Sequence, residues 1–311
     1  MDAIQLLEVC SVRAQLGQLE EGVSIASLAP AEFDVTWRRD PMKVRDILDE
    51  ILTSPHPDYG LELLLKCGAI DALFPELRAL KDLGDEGGRH KDVWAHTKAV
   101  VAGTPAQVEL RWSALMHDIG KARTRRVYPN GKVTFHNHDF VGAKMVDSLQ
   151  ARIGLFKGND ALLQTVRSLV LNHLRPAGYK KDWSDSGVRR LLTDLGGMEN
   201  FHRLMALSRA DLTTKNANKR ERALSRGREL EERVLSVFSE DNAPKLPKGT
   251  MGIIMEKAKT PPGPWLNEIR SRLESSMATG ELPAENDVDF YVAEGLRLFN
   301  ELYANLSKTL P

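Results

Sequence analysis

Six side chains of the types that hold divalent metals are spread through the middle of the chain. They are His96, His117, Asp118, His138, His173 and Asp211. The two neighbours in this set lie in segment 115–121 (LMHDIGK), where an apolar run leads to an imidazole, a carboxylate and a glycine that can end a helix. Neutral imidazoles and ionised carboxylates are the forms that bind a dication. Such a set is typical of metal-dependent hydrolysis of phosphate esters.

A first metal ion is predicted at the histidine–aspartate pair. His117 and Asp118 are about 100° apart on a helix, so they can share an ion that lies over the edge between them. We expect His96 and Asp211 to complete this ligand shell from flanking helices.

A second ion is predicted beside the first. His138 and His173 are expected to hold it, with Asp118 as the bridge. A mixed nitrogen and oxygen ligand set favours manganese, iron, cobalt, nickel or zinc over calcium or magnesium. The remaining histidines are given no ligand role, and they are His56, His90, His136 and His202.

The composition is that of a globular protein with a substantial core. Of the 311 residues, 42% are hydrophobic and 28% are charged, and this length predicts two or three structural units. No apolar run reaches the roughly 18 to 20 residues that cross a bilayer, and the first residues lack a signal-peptide pattern. We therefore expect a cytoplasmic protein. Cys10 and Cys67 have neither metal-type nor redox spacing, so buried or incidental thiols are expected.

Positive and negative side chains balance, with 43 lysines and arginines against 43 aspartates and glutamates. The molecule as a whole therefore lacks the large positive field that drives non-specific binding to nucleic acid. Any polyanion has to be met by a local patch. Three basic clusters that each follow a predicted ligand are Arg123, Arg125 and Arg126; Arg175, Lys180 and Lys181; and Lys215, Lys219 and Arg220.

Apolar residues recur at helical spacing along most of the chain, which predicts a mainly α-helical bundle with flanking helical segments. Segment 108–119 is predicted as one helix that delivers the histidine–aspartate pair. Segment 126–135 predicts a small β-hairpin with Asn-Gly at its turn, and we expect residues 128–135 of it to form one wall of the cleft. Segment 84–88 reads as a loop, and segment 244–264 as part of a loop-rich tail.

Taken together, these motifs resemble the HD superfamily of metal-dependent phosphohydrolases. More narrowly, the chain is similar to the part of bacterial CCA-adding tRNA nucleotidyltransferases that lies beyond their catalytic head. The segments that carry the resemblance are 91–97 (KDVWAHT), 117–121 (HDIGK), 135–138 (FHNH), 142–143 (GA), 172–176 (NHLRP) and 188–191 (VRRL), with weaker similarity at 60–64 and 74–77. The resemblance covers roughly residues 42–300. It predicts an N-terminal helical region at 1–88, an HD domain at 89–222 and a C-terminal helical region at 223–311.

The chain also departs from those polymerases. They begin with a Gly-Ser strand and an Asp-x-Asp pair for magnesium, and no such pattern precedes His96. The one Asp-x-Asp in the chain, Asp287-Val288-Asp289, is expected to start a helix. We therefore expect no nucleotidyltransferase head in this chain and no nucleotide addition.

The resemblance implies hydrolysis of nucleotide or RNA-end phosphates, as a 2′,3′-cyclic phosphodiesterase, a 2′-nucleotidase or a phosphatase. One or two transition-metal ions would assist, with Asp118 and Lys121 as the catalytic residues. Lys121 is also a predicted phosphate ligand, because an ammonium group neutralises charge that grows in the transition state. Arg175, Arg189 and Arg190 are further substrate candidates, the last two near the start of a helix that Asp185 or Ser186 is expected to cap.

Two other functions fit the same residues. A catalytically silent module could use the basic clusters to hold RNA such as tRNA. A di-iron oxygenase could use the same six ligands on an HD scaffold. An intact ligand set favours the hydrolase, because a silent module has no need of so many metal-binding side chains.

Overall fold

The computed structural model describes residues 2–17, 30–81, 83, 92–214 and 216–303. The chain divides into two compact units, Met1–Val234 and Leu235–Pro311. The predicted loop at 84–88, together with His90 and Lys215, lies outside the described residues. The prediction of three regions with boundaries at 88 and 222 stays a prediction.

The first unit is built from packed helices, and the prediction of a mainly α-helical fold is confirmed. The helices before the hairpin are α1 (Ala3–Leu16), α2 (Pro30–Arg39), α3 (Pro41–Thr53), α4 (Pro57–Lys66), α5 (Ala69–Leu73), α6 (Pro75–Lys81), α7 (Val93–Gly103), α8 (Val108–Met116) and α9 (Lys121–Thr124). Those after it are α10 (His138–Ile153), α11 (Asp160–Asn172), α12 (Arg175–Gly178), α13 (Asp185–Leu195) and α14 (Met198–Asp211). Helix α15 (Ala217–Asn242) follows.

Helix α8 ends earlier than the sequence predicts. The apolar run predicts one helix over 108–119, but the structure ends α8 at Met116 and continues as a turn to Gly120. In this turn the N–H of Ile119 donates to the carbonyl of Met116. His117 and Asp118 therefore lie in the turn that follows α8 and not along the side of a helix.

Trp112 fixes α8 against the N-terminal helices. It is fully buried, its ring lies edge-on to Phe156 with centroids 5.5 Å apart, and its Nε1 donates to Oδ1 of Asp49 at 2.5 Å. Asp49 belongs to α3, so this bond joins α3 to α8. Large aromatic rings bury much apolar area and hold their neighbours in place. The end of α8 thus has a rigid support.

Five helices surround the predicted ligands. Helix α8 packs against α7, α11 and α14, and α11 also packs against α10 and α14. The contact of α7 with α14 closes the group. A side chain at the end of any of these helices can therefore reach a common interior point.

The predicted hairpin is present, with a turn that differs from the simplest expectation. Strands β1 (Arg126–Val127) and β2 (Val133–Thr134) pair antiparallel. The loop between them has Gly131 at φ 76° and no positive φ at Asn130. The N–H of Gly131 donates to the carbonyl of Tyr128. This is a type I turn followed by a left-handed glycine, the usual three-residue hairpin loop, and not a two-residue Asn-Gly turn.

The second unit contains the end of α15 and helices α16 (Thr250–Ala258), α17 (Pro264–Thr279) and α18 (Val288–Tyr303). Its core consists of Ile254, Trp265, Ile269, Leu273 and Val292. The carboxylate of Asp287 accepts from the N–H of Phe290 at 2.7 Å, so the Asp-x-Asp pair starts a helix, as expected. Among the described helices of both units, none combines the length and apolar character needed to span a membrane.

Candidate metal centre

The structure brings all six predicted ligands together, mostly at helix ends. Their positions are His96 within α7, His117 and Asp118 after α8, His138 at the start of α10, His173 after α11 and Asp211 at the end of α14. Five separate helices therefore supply one site. This is the arrangement a metal centre needs, since no single helix can surround an ion.

The first cluster is formed by His96, His117, Asp118 and Asp211. Nε2 of His96 lies 3.0 Å from Oδ1 of Asp211 and 3.5 Å from Oδ2 of Asp118. Nε2 of His117 lies 3.2 Å from Oδ2 of Asp118 and 3.7 Å from Oδ1 of Asp211. Donor atoms of His96, His117 and Asp118 lie within 4.8 Å of one another, and Asp211 adds a second carboxylate beside the two imidazoles. This mixture of nitrogen and oxygen donors suits a divalent transition metal.

The second cluster is formed by Asp118, His138 and His173. Nε2 of His138 lies 3.3 Å from Oδ1 of Asp118 and 3.2 Å from Nε2 of His173. Asp118 therefore serves the two clusters with different oxygens. It is only 1% exposed, so both of its oxygens are committed to this interior site.

The histidines are oriented by their Nδ1 atoms. In three of them Nδ1 donates to the backbone carbonyl three residues earlier, from His117 to Ala114 (2.7 Å), from His138 to Phe135 (2.8 Å) and from His173 to Val170 (2.6 Å). Nδ1 of His96 instead lies 3.0 Å from the hydroxyl of Thr213. A donating Nδ1 leaves the lone pair of the neutral ring on Nε2. All three carbonyl-bound rings therefore present Nε2 as the ligand atom.

Two features of these atoms fit a bound cation. Nε2 of His117 is buried and makes no hydrogen bond of good geometry, so in the neutral, metal-binding form of this ring its lone pair would have no partner within the protein. Nε2 of His138 and Nε2 of His173 face each other at 3.2 Å, and both Nδ1 atoms donate elsewhere. In the neutral form that binds a metal, two rings held in this way would direct their lone pairs at each other. Buried acceptors normally have partners, and an ion bound by both rings would supply one.

The electrostatics of the metal-free site match this ligand set. Burial opposes the charged form of His117, but the carboxylates of Asp118 and Asp211 outweigh it and raise the pKa of His117 to about 9. Burial also opposes ionisation of Asp118, yet the imidazole of His117 holds the pKa of that carboxyl well below its usual range. Burial and the charge on His117 lower the pKa of His173 to about 4. The carboxylate and His173 are therefore already in their metal-binding forms, and His117 has to release a proton.

Gly120 permits the turn after α8 to lie close to the backbone of α10. The sequence suggests that Gly120 ends a helix with a left-handed turn. Its φ is −72°, a value accessible to any residue, so it does not act in this way. A Cβ at this position would lie 2.1 Å from the carbonyl oxygen of His138 and 2.8 Å from the backbone nitrogen of Gly142. The glycine is needed because the backbone of α10 passes directly against it.

Lys121 lies between the first cluster and an open pocket. Its Nζ donates to Oδ2 of Asp118 at 2.5 Å and lies 5.6 Å from the centre of the Phe135 ring. The pocket has a volume of about 390 Å³ and is lined in part by His96, Lys121 and Asp211. A substrate that enters the pocket therefore reaches two first-cluster ligands and an ammonium group.

The predicted arginines lie elsewhere. Arg175 donates to Oδ2 of Asp194 at 2.6 Å and to Oδ1 of Asn172 at 3.1 Å. Arg189 and Arg190 are exposed on α13, a helix capped by Ser184 and not by the two residues after it. None of the three is among the described residues that line the pocket, and their substrate role stays a prediction.

Sequence reasoning missed residues that line the pocket without being metal ligands. Thr213 lines it, and Arg125, known from the sequence only as part of a basic cluster, does so too. Val133 and Phe135 also line it, and both lie in the hairpin segment that was expected to form one wall of the cleft. The available signal for Phe135 itself was an aromatic residue at the end of the predicted hairpin, three positions before His138. Nothing in the residue types around Thr213 predicts its contact with His96.

Comparison with known families agrees with this geometry. Residues 91–216 match the model of the HD domain family, and residues 44–81 match the family described as the probable RNA and SrmB-binding site of polymerase A. All six clustered ligands fall inside the first match. Residues 91–216 thus carry an HD domain, as the resemblance of the motifs predicted.

The curated relatives are tRNA nucleotidyltransferases. The chain is 30% identical over 266 residues to the A-adding tRNA nucleotidyltransferase of Deinococcus radiodurans, covering 82% of this chain and 58% of that protein. It is 34% identical over 140 residues to the CC-adding tRNA nucleotidyltransferase of Thermus thermophilus, covering 42% of this chain and 31% of that protein. The chain therefore spans less than two thirds of the length of each. The predicted resemblance to the post-head region of such enzymes is confirmed.

Proposed function

We propose that the chain is a metal-dependent phosphohydrolase that acts on nucleotide or RNA-end phosphates, as a 2′,3′-cyclic phosphodiesterase, a 2′-nucleotidase or a phosphatase. The observation that carries the proposal is the pair of clusters that share Asp118 and adjoin a pocket. His96, His117 and Asp211 would hold one ion with Asp118. His138 and His173 would hold a second ion on its other oxygen. Manganese, nickel, cobalt, iron or zinc suits these ligands better than magnesium.

Different residues of the chain have different roles in the proposed hydrolysis. When bound, divalent ions supply a water of lowered pKa and positive charge at the phosphate. The Nδ1 bonds to backbone carbonyls hold the histidine rings in the ligating orientation. Lys121 brings its ammonium to the edge of the first cluster, where it can neutralise charge on the phosphoryl oxygens. Water adds to phosphorus, the bond to one ribose oxygen breaks, and that oxygen takes a proton.

The choice of an RNA or nucleotide substrate rests on two supports. The relatives are named as enzymes that add nucleotides to tRNA, and residues 44–81 match a family described as RNA-binding. The second support is a groove on the first unit with four cations and one carboxylate, so that it is basic overall. It is lined by Tyr179, Lys180, Lys181, Arg222, Ser225, Arg226 and Glu229. A local groove of this kind is what a chain of zero net charge needs in order to bind a polyanion.

The basic groove also has an aromatic edge. Tyr179 and Trp183 lie edge to face with centroids 5.4 Å apart, and the guanidinium of Arg175 lies 5.9 Å from the centre of the Trp183 ring. Arg175 follows His173 in sequence by two residues. Cationic and aromatic groups together are typical of surfaces that bind single-stranded nucleic acid. This groove is the observation that favours the second candidate function, a catalytically silent module that binds RNA such as tRNA.

The test is phosphate release from 2′,3′-cyclic AMP and 2′-AMP. Metal-stripped protein is re-loaded with manganese, nickel, cobalt or magnesium, and Asp118→Asn is compared with the matched variant Asp147→Asn, an exposed aspartate of α10. We expect hydrolysis that needs a transition metal, disappears in Asp118→Asn and persists in Asp147→Asn.

Other outcomes point to the alternatives. Binding of RNA without hydrolysis at any metal loading would support the silent module. Iron retention with oxygen consumption, and no phosphate release, would support the di-iron oxygenase. Release that is equal in Asp118→Asn and wild type would contradict the assignment of the site.

A further inference from the structure

The pocket beside the first cluster has two chemically different sides. Besides the metal ligands, its lining includes an apolar wall of Val133, Phe135 and Leu212 and the cations Lys121 and Arg125. Val133 and Phe135 come from the hairpin and the segment after it. A phosphate alone needs only the cations and the metal, so the apolar wall indicates that a second, uncharged part of the substrate enters here.

Phe135 is tied to the metal centre through its own backbone. Its carbonyl accepts from Nδ1 of His138 at 2.8 Å, so the residue that orients a metal ligand also forms the pocket wall. The ring is half-buried, which leaves one part packed and another part exposed to the pocket. Its position is therefore fixed relative to the second cluster.

Lys121 joins the two sides of the pocket. Its Nζ is 2.5 Å from Oδ2 of Asp118 on one side and 5.6 Å from the centre of the Phe135 ring on the other. A phosphate that meets Lys121 and the first cluster would thus leave its attached group beside the aromatic ring. The distances match a small group joined directly to the phosphate, and a long chain is not required.

We propose that this pocket binds the nucleoside of a single nucleotide, free or at the end of an RNA, with its base stacked on Phe135. The inference rests on the proposed function and specifies its substrate. A base has a flat π-face that stacks on an aromatic ring whatever its sequence. The volume of about 390 Å³ lies at the low end of small-molecule pockets and suits one nucleotide. Phe135 is then a specificity-determining residue for substrates that carry a base.

The test compares two ligands that differ only in the base, AMP and ribose 5-phosphate. Binding of each to the manganese-loaded full chain is measured by titration calorimetry, with phosphate release checked afterwards. We expect AMP to bind more tightly than ribose 5-phosphate. Phe135→Ala should weaken AMP binding by about 5- to 100-fold, leave ribose 5-phosphate within about twofold, and leave manganese binding intact. Phe135→Trp should retain AMP binding, and Phe135→Leu, which keeps apolar bulk without an aromatic face, should lose most of it.

Phe140→Ala is the matched control. Phe140 lies on the neighbouring helix α10, is 51% exposed and also carries a lysine over its ring, Lys144 at 4.4 Å. Phe140 is not among the described residues of the pocket wall. Its replacement by alanine should therefore leave the binding of both ligands unchanged.

Three results would overturn the proposal. They are AMP that binds no more tightly than ribose 5-phosphate, equal loss of both ligands in Phe135→Ala, and unchanged AMP binding in that variant. The failure of the hydrolase proposal is separate: base-dependent binding without phosphate release would leave this pocket assignment standing. Conversely, metal-dependent hydrolysis with base-independent binding would retain the enzyme and reject the nucleoside pocket.

Discussion

Gly120→Ala tests whether close backbone contact at the metal centre is necessary. The added methyl would lie 2.1 Å from the carbonyl oxygen of His138, whereas ordinary contacts lie at 3.4–4 Å. The obstacle is backbone and not a flexible side chain, so α10 has to move away by about 1 Å. Overpacking of this kind costs about 1–3 kcal/mol in free energy of unfolding. For a unit of this size the melting temperature should fall by about 2–12 °C.

The same movement should weaken the second cluster. His138 begins α10, so a shift of this helix carries its Nε2 away from Asp118 and His173. Changes to groups that orient metal ligands reduce metal affinity about 10- to 100-fold. We therefore expect Gly120→Ala to bind one of two manganese ions more weakly, while its affinity for the other ion changes much less.

Gly103→Ala is the matched control for this experiment. A Cβ there would lie 3.5 Å from Cβ of Ala210, an ordinary contact, at the end of α7. Its melting temperature should equal or exceed that of wild type, because alanine lowers the entropy of the unfolded chain. Calorimetry and manganese titration check both variants. If Gly120→Ala melts within about 1 °C of wild type and binds manganese normally, the close contact with the backbone of α10 does not require a glycine at this position.

Further predictions concern stability, RNA binding and protons. Burial raises the pKa of Asp49 while its oxygen accepts from Trp112, so Asp49→Asn should raise the melting temperature by about 2–4 °C, whereas Asp49→Leu should lower it because Trp112 loses its acceptor. Lys180→Ala and Arg222→Ala should each weaken binding of a tRNA acceptor-stem hairpin and reduce the salt slope by about 1, as measured by fluorescence anisotropy; unchanged slopes would exclude the basic groove. Because the pKa of metal-free His117 is about 9, this ring is protonated at pH 7.5, so manganese binding should release a proton and strengthen as the pH rises toward 9. Calorimetry in two buffers of different ionisation enthalpy measures this release, and buffer-independent heats would show that His117 does not titrate on binding.

The candidate ligands could be predicted from sequence because residue type limits the choice. Few side chains bind transition metals, and apolar periodicity placed each candidate in or beside a helix. The structure brings the six together as the spacing suggested. The local structure at His117 and Asp118 differs from the prediction. They lie in a turn after α8, because the hydrogen bonds of this turn replace the last turn of the predicted helix.

Features that depend on distant backbone could not be predicted in this way. The close approach of α10 to Gly120 involves residues 18 and more positions away and leaves no local signal. The hairpin was expected to form a wall of the cleft, but the sequence did not indicate that Leu212 and Thr213, distant along the chain, line the same pocket as Phe135. The prolines of segment 244–264 predicted a loop-rich tail, and this was wrong for Thr250–Ala258, which form helix α16.

The two cysteines show the same limit. Their separation in sequence predicts unrelated buried thiols, and both are indeed buried. Packing of α1 against α4 nevertheless brings Cys10 and Cys67 into contact, and the Cys67 thiol raises the pKa of Cys10 above its usual range. Contact between distant helices, and not spacing along the chain, decides such pairs.

Metal-dependent phosphate hydrolysis by the paired clusters that share Asp118 is the function that we propose for this chain. Its most direct test is phosphate release from 2′,3′-cyclic AMP by metal-stripped protein titrated with manganese, with activity recorded against bound manganese per chain. We expect no phosphate release from stripped protein and a rise in activity that is complete when both clusters are filled with manganese. Release by the stripped protein, or none at any manganese loading, would contradict the proposed function.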